Sequence, residues 1–241
     1  MDGDDGEQVL SGVRQLRNDF TGFLLPYKFG IDEIMTKINI LKEEFEYDHD
    51  YSPIEYVKSR LKSPESIVEK AQRISCPLSF TDICANIRDI AGIRITCSFI
   101  SDAYWIKDML TSQGDMTVLQ VKDYIARPKP NGYKSLHLIV EVPIFMSEKV
   151  QRVCAEIQIR TVAMDFWASL EHKIYYKYHG EVPVDLLDEL TGAAEVASRL
   201  DVKMERLRDE VKALSASAGV IHAATRLVPV VGDLVRPRSA G

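Results

Sequence analysis

The chain has 241 residues, 46% of them apolar and 27% charged. That balance is ordinary for a folded domain and excludes a chain disordered throughout. Lys and Arg total 30 against 36 Asp and Glu, a net charge of −6. This disfavours a generic duplex-binding module, and no apolar run reaches the roughly 18 residues a membrane span needs.

The elements follow in chain order. Residues 1–19 are expected to be an N-terminal extension, and their acidic opening is not that of a secretory or organelle leader. Tyr27, Ile31, Ile34, Ile38, Leu41 and Phe45 recur at spacings of four and three, which predicts a helix with one apolar stripe. Ser63-Pro64-Glu65 supplies an N-cap, a proline at the first helical position and an acidic first turn, opening a helix to about Ser75. Ile90 to Phe99 alternates and is β-branched, so it reads as a strand. Asp102 to Ser112 reads as a helix and Thr117 to Ile125 as a second strand. Pro128-Lys-Pro-Asn-Gly132 is a turn, Tyr133 to Val142 a third strand and Val153 to Arg160 a fourth. Thr161 to Tyr178 reads as helical. Gly180 and Pro183 separate it from a long helix carrying Leu186, Leu190, Ala193, Ala197, Leu200, Met204, Leu207, Val211 and Leu214 at heptad rhythm. Such a seam packs on its own domain or on another chain. Residues 215–241 are expected to form a weakly ordered or folded-back tail. The cysteines Cys76, Cys84, Cys97 and Cys154 form no CxxC pair and read as reduced, buried thiols of a cytoplasmic protein.

Strand alternation concentrates the chemistry. In the fourth strand Glu156, Gln158 and Arg160 oppose Val153, Ala155, Ile157 and Ile159. In the third, Ser135 and His137 oppose Leu136, Leu138 and Val140. In the first, Arg94, Thr96 and Ser98 oppose Ile93, Ile95, Cys97 and Phe99. If the polar faces align, one sheet surface gathers a carboxylate, two guanidiniums, an imidazole and an amide. An ordinary solvent-facing side of an antiparallel sheet is the other reading. Lys58, Arg60 and Lys62 precede the helix at Pro64, whose free N–H groups and Ser66 could hold an anion. Arg127, Lys129 and Lys134 surround the Pro-Asn-Gly-Tyr turn, where Tyr133 is either a base-stacking platform or a packed tyrosine. Asp89, just before the first strand, and Glu156 are candidates for a two-carboxylate Mg²⁺ site completed by substrate phosphates, or are salt-bridge partners. His49-Asp50 reads as structural, because residues 1–48 lack the upstream histidine of a His-Asp metal hydrolase.

Several ordered segments resemble the synthetase motifs of the Rel/SpoT-type (p)ppGpp synthetases. They are Arg60-Leu-Lys62-Ser-Pro-Glu-Ser66-Ile, Asp89-Ile-Ala-Gly-Ile-Arg94, Pro128-Lys-Pro-Asn-Gly-Tyr133-Lys-Ser-Leu-His137 and Glu156-Ile-Gln-Ile-Arg-Thr161. Asp165-Phe-Trp-Ala-Ser-Leu-Glu171-His-Lys and Tyr27-Lys-Phe-Gly are similar to the single-domain small alarmone synthetases, nearer the RelP-like branch. The resemblance implies an α+β, nucleotidyltransferase-like fold with a mixed sheet of about five strands flanked by helices, in a synthetase domain over 20–214. It implies transfer of the β,γ-pyrophosphate of ATP to the 3′-hydroxyl of GTP or GDP, giving (p)ppGpp and AMP, with no hydrolase activity.

It also implies roles. Arg60 and Arg94 would sandwich adenine, and Lys62 and Ser66 would hold ATP phosphates. Asp89 and Glu156 would ligate Mg²⁺. Tyr133 would stack on guanine, Asn131 would read its edge, and Lys129 and His137 would contact phosphates or the acceptor. Glu156, as base, and Gln158 would position the 3′-hydroxyl. Arg160 would lie in the acceptor site, and Glu171 matches an acidic position nearby. Lys134 stands where family members often carry Arg, keeping the charge but not the fork. ATP and GTP or GDP are the expected partners, in a homotetramer, with no membrane or stable nucleic-acid partner. The alternatives are another acceptor, such as a tRNA 3′ end or an adenosine nucleotide, and a non-enzymatic nucleotide-binding oligomer.

Overall fold

The computed structural model describes residues 2–48, 51–177 and 183–226. Helix α1 (Asp2–Asp48) is followed by β1 (Ile54–Leu61), α2 (Pro64–Arg73), α3 (Phe80–Asn86), β2 (Ala91–Cys97) and α4 (Ile100–Thr111). Then come β3 (Thr117–Asp123), β4 (Leu136–Phe145), β5 (Val150–Thr161), α5 (Val162–Lys177) and α6 (Val184–Arg226). The five strands form one sheet in the order β1-β2-β5-β4-β3. Only β2 and β5 run parallel; the other three pairings are antiparallel, so the sheet is mixed.

The apolar side of the sheet carries the core. Ile93, Ile95, Leu138, Ile157 and Ile159 are buried together with Ile34 and Ile38 of α1 and Ile106 and Leu110 of α4. Helix α1 crosses β1, β2, β4 and β5. It comes close at Gly30, where an added Cβ would lie 3.2 Å from Val153 Cγ1. Burying an aliphatic side chain of this size stabilises by about 1.5–3 kcal/mol, so this layer holds the polar side of the sheet rigid.

The structure differs from the sequence expectations at definite places. Strand β1 was not anticipated: Ile54-Glu-Tyr-Val-Lys-Ser-Arg-Leu61 is an edge strand exposed along most of its length, so it lacks apolar alternation. The short α3 was also missed; Ser79 caps it by accepting from the Asp82 N–H at 3.1 Å. Helix α1 runs upstream through Pro26, whereas the stripe suggested a start near Tyr27. Phe23 stacks on Phe80 of α3 with ring centroids 4.5 Å apart, and Phe20 meets Phe80 edge-on at 5.3 Å. These aromatic contacts anchor the upstream turns.

The third strand begins at Leu136, leaving Tyr133 in the preceding turn. Helix α6 continues to Arg226 instead of ending near Leu214. Its inward row also differs from the expected seam: Leu190, Ala194 and Asp201 are buried, whereas Ala193 and Leu200 are exposed. Of the cysteines only Cys97 is buried; Cys84 is exposed and Cys76 and Cys154 are intermediate. The chain divides into two compact units, Met1–Asp201 and Val202–Gly241. In the described part of the second, Val202, Met204, Leu207, Val211 and Leu214 are exposed on helical backbone. His49-Asp50 and Gly180 lie outside the described residues.

Candidate active site

Strand register aligns the polar faces. Lys58, Arg94, Gln158, His137 and Lys122 are cross-strand partners in succession across all five strands. On the next rung Arg60 pairs with Gly92, Gly92 with Glu156 and Glu156 with Ile139. Gly92 has a specific use here. A Cβ at this position would lie 3.3 Å from Arg60 Cγ and 3.4 Å from Arg60 Nε, so the bare backbone lets the Arg60 side chain lie across β2. Arg60, Arg94, Glu156 and Gln158 line one cavity of about 230 Å³ together with Lys58, Ser59, Gly92 and Ile93.

Beside the cavity a closed ring of hydrogen bonds runs through five side chains. His137 Nδ1 donates to Glu156 Oε1 at 3.0 Å, and its Nε2 is hydrogen-bonded to the Tyr133 hydroxyl at 2.8 Å. Arg160 Nη2 donates to the Tyr133 hydroxyl oxygen at 2.7 Å and to Gln158 Oε1 at 2.8 Å. Gln158 Nε2 closes the ring by donating to Glu156 Oε2 at 2.8 Å. Arg160 has only donors and the ionised Glu156 only acceptors. The Gln158 arm therefore runs from the guanidinium to the carboxylate. Burial alone would raise the Glu156 pKa, but the His137 and Gln158 bonds outweigh it and hold the group below the ordinary carboxylate value. Glu156 is thus ionised at neutral pH and is a weak base, suited to orienting a hydroxyl more than to removing its proton unaided.

Asp89 lies close enough for its charge to oppose the ionisation of Glu156. Its oxygens accept from Lys62 Nζ at 2.7 Å and Lys70 Nζ at 2.6 Å. Burial pushes its pKa up, and the two lysines bring it net below the usual range. Lys70 was not singled out from the sequence. Its spacing of four from Ser66 on a helix was the available signal.

Asp165, on the first turn of α5, has a role that its sequence position alone does not signal. It is buried and forms ion pairs with Arg94 at 3.1 Å and Arg160 at 3.2 Å. The N-cap of α5 is Thr161, whose Oγ1 accepts from Met164 N–H at 3.1 Å. That cap turns the chain from β5 so that Asp165 points back over the sheet. The Arg94 pKa is lowered, first by burial and then by the neighbouring Arg160.

The turn before β4 is docked on helices. Gly132 adopts φ +83°, where a side chain is strained. Asn131 Nδ2 donates to Glu171 at 3.1 Å, and Lys134 Nζ to Ser198 Oγ at 2.5 Å. Lys129 Nζ sits 4.6 Å from the Tyr133 ring centre and 5.0 Å from that of Tyr124. The structure therefore joins Glu156, Gln158, His137, Tyr133 and Arg160 directly, links Asp89 to Lys62, and links Asn131 to Glu171. Ser66 remains apart: among the described residues it bonds only to Ser63, the α2 cap.

A mixed sheet whose polar face sets Arg60, Arg94, Glu156 and Gln158 around one cavity, with His137 bonded to Glu156 beside it, defines an α+β protein with a charged site on its sheet. Residues 59–181 match the model of the region found in RelA / SpoT proteins. The chain is 50% identical over 202 residues to the GTP pyrophosphokinase YwaC of Bacillus subtilis (strain 168), a span of 84% of this chain and 96% of that one. It is 43% identical over 195 residues to the GTP pyrophosphokinase YjbM of the same organism, 81% of this chain and 91% of that one. Among solved structures, small alarmone synthetase 1 from Bacillus subtilis bound to its product pppGpp aligns with a TM-score of 0.76 at 44% identity, over 80% of this chain and 98% of that one. Small alarmone synthetase 2 aligns with a TM-score of 0.73 at 52% identity, over 80% and 99%. The chain belongs to the RelA/SpoT family.

Proposed function

We propose that this chain is a GTP pyrophosphokinase that makes (p)ppGpp. The reaction joins the 3′-oxygen of GTP or GDP to the β-phosphorus of ATP, breaks the bond from that phosphorus to the α,β-bridging oxygen, and releases AMP. The observation that carries this reading is Glu156: an ionised carboxylate clamped by His137 and Gln158, lining the same cavity as Arg60 and Arg94. The family relatives act on GTP by name, and a cavity lined with guanidiniums suits a polyphosphate and a purine face.

The chain's own residues divide the work. Arg60 and Arg94 bind the donor nucleotide, with Lys62 and Ser66 toward its phosphates. Tyr133, Lys129, Asn131 and His137 bind the acceptor, with Arg160 and Glu171 behind them. Glu156 and Gln158 hold the 3′-hydroxyl in line with the β-phosphorus, and Glu156 accepts its proton as the bond forms. Positioning and charge carry most of the rate in such transfers. Asp89 and Glu156 would hold a Mg²⁺ ion, with Lys62 and Lys70 yielding the Asp89 oxygens to it. The two acidic groups offer hard oxygen donors, lie within electrostatic reach of each other, and number the one or two carboxylates Mg²⁺ takes beside substrate phosphates. Bound there, Mg²⁺ supplies charge neutralisation on the phosphates. The chain works in the cytoplasm as a homo-oligomer; among the described residues no helix is long and apolar enough to cross a membrane.

The test is product analysis. Full-length chain with ATP, Mg²⁺ and GTP or GDP is expected to yield AMP and a 3′-pyrophosphorylated guanosine nucleotide in equal amounts. Glu156→Gln should lower turnover by about 100-fold or more while nucleotide still binds. Labelled pyrophosphate appearing on tRNA or an adenosine acceptor instead, or nucleotide binding with no AMP, would overturn the assignment.

A further inference from the structure

Asp165 is 5% exposed, and one oxygen, Oδ1, serves two guanidiniums, Arg94 Nη1 at 3.1 Å and Arg160 Nη1 at 3.2 Å. Its other oxygen accepts from Tyr56 O–H at 3.2 Å. A single negative charge cannot neutralise two cations, and the pair competes for it. The competitors are held unequally. Arg160 is pinned on every side by Tyr133, Gln158 and, more loosely, Ser135 at 3.4 Å. Arg94 is a third exposed, lines the cavity, and has a buried Nε that makes no hydrogen bond among the described residues. Arg94 is therefore the member a ligand can draw away.

We propose that Asp165 is a positioning residue that couples the two substrate subsites by sharing its carboxylate between Arg94 on the donor side and Arg160 on the acceptor side. This rests on the pyrophosphokinase reading. When a donor nucleotide engages Arg94, the Asp165 carboxylate turns wholly to Arg160. Arg160 then holds Tyr133 and Gln158 more firmly, and the acceptor binds a better-organised surface. By linkage the acceptor strengthens donor binding by the same factor.

The experiment is calorimetric titration of the full chain with GDP and Mg²⁺, with and without a saturating ATP analogue carrying a methylene between its α- and β-phosphates. The ratio of the two GDP Kd values measures the coupling. In the wild type a ratio of about fivefold or more is expected. In Asp165→Asn, isosteric but uncharged, the ratio should fall to within about twofold of one. A purely structural role would weaken both titrations alike and leave the ratio intact. Asp165→Glu keeps the charge and should hold a ratio above that of the Asn variant; equal ratios overturn the electrostatic account. A wild-type ratio near one, or a wild-type ratio surviving in folded Asp165→Asn, overturns the proposal. If Asp165→Asn does not fold, Arg94→Gln at the more exposed partner should abolish the coupling, and a retained ratio refutes it. Product formation separates the two claims. A wild type that makes no (p)ppGpp defeats the functional reading, whereas one that turns over with coupling insensitive to Asp165 defeats only this inference.

Discussion

Gly132→Ala tests whether the turn carrying Tyr133 must be docked for the acceptor to bind. Gly132 has φ +83°, and an added Cβ would lie 2.4 Å from Ala194 Cβ on α6. Carbon atoms pack best at about 3.5–4.0 Å, so the overlap exceeds 1 Å by roughly this measure. Two penalties follow. The left-handed backbone costs an L-residue about 1–2 kcal/mol, and overpacking a tight contact costs about 1–3 kcal/mol. Together they are on the order of 2–5 kcal/mol, which the chain can escape by lifting the turn off α6. Lifting it moves Tyr133 away from His137 and Arg160. The expected outcome is a KM for GTP raised by about tenfold or more, since each 1.4 kcal/mol is a factor of ten, with the KM for ATP nearly unchanged. The assay is initial-rate kinetics varying each nucleotide separately, alongside a thermal melt. Ala194→Gly in the Gly132→Ala background removes the opposing methyl. It should recover the packing share of the loss but not the backbone share, once corrected for the roughly 1 kcal/mol that glycine costs a helix. Wild-type acceptor KM and melting temperature in Gly132→Ala, or no recovery in the double variant, would refute the reasoning.

Asp89→Asn leaves Lys62 and Lys70 without their shared counter-charge and should destabilise the protein by about 1–3 kcal/mol at pH 7. The Asp89 pKa is depressed in the folded chain from an ordinary 3.8. Its contribution is therefore complete above that value and is lost as pH falls through the lower folded value. Urea titrations should show the wild-type advantage over Asp89→Asn unchanged from pH 7 to 5 and shrinking below 3.8; an advantage that persists undiminished in strong acid rejects the ion-pair account. Trp167→Phe removes a bond of 2.9 Å to the Leu190 carbonyl, which keeps its helical partner within α6, so stability should fall by about 0.5–1.5 kcal/mol in a denaturant melt.

Much of the site was legible because strand periodicity is a local property. The opposition of Glu156, Gln158 and Arg160 to Val153, Ala155, Ile157 and Ile159 follows from pleating alone, and burial alternates accordingly from Val153 to Ile159, after which Arg160 is itself buried against Asp165. The Ser63 cap and the Gly132 turn were likewise readable from a few adjacent residues. Strand β1 was not, because this edge strand is exposed on both faces along most of its length and so carries no apolar alternation; the same edge contributes Arg60 and Lys58 to the cavity. Lys70 and Asp165 escaped notice for a related reason. A lone charged residue on a helix looks like a solvated one until its partner is known, and the partners lie 19 and 71 positions away for Lys70–Asp89 and Asp165–Arg94.

Local chemistry thus determined which side chains could share a face: alternation, capping and turn residues act over a few bonds and leave their pattern in the chain. Pairing across the sheet decided which faces met. The parallel register of β2 with β5 and the antiparallel register of β4 with β5 set Arg94, Gln158 and His137 on one rung. Shifting either strand by one residue would turn its polar set into the core. That register is selected by the joint burial of isoleucines contributed by distant segments, a collective free energy that no stretch of sequence contains by itself.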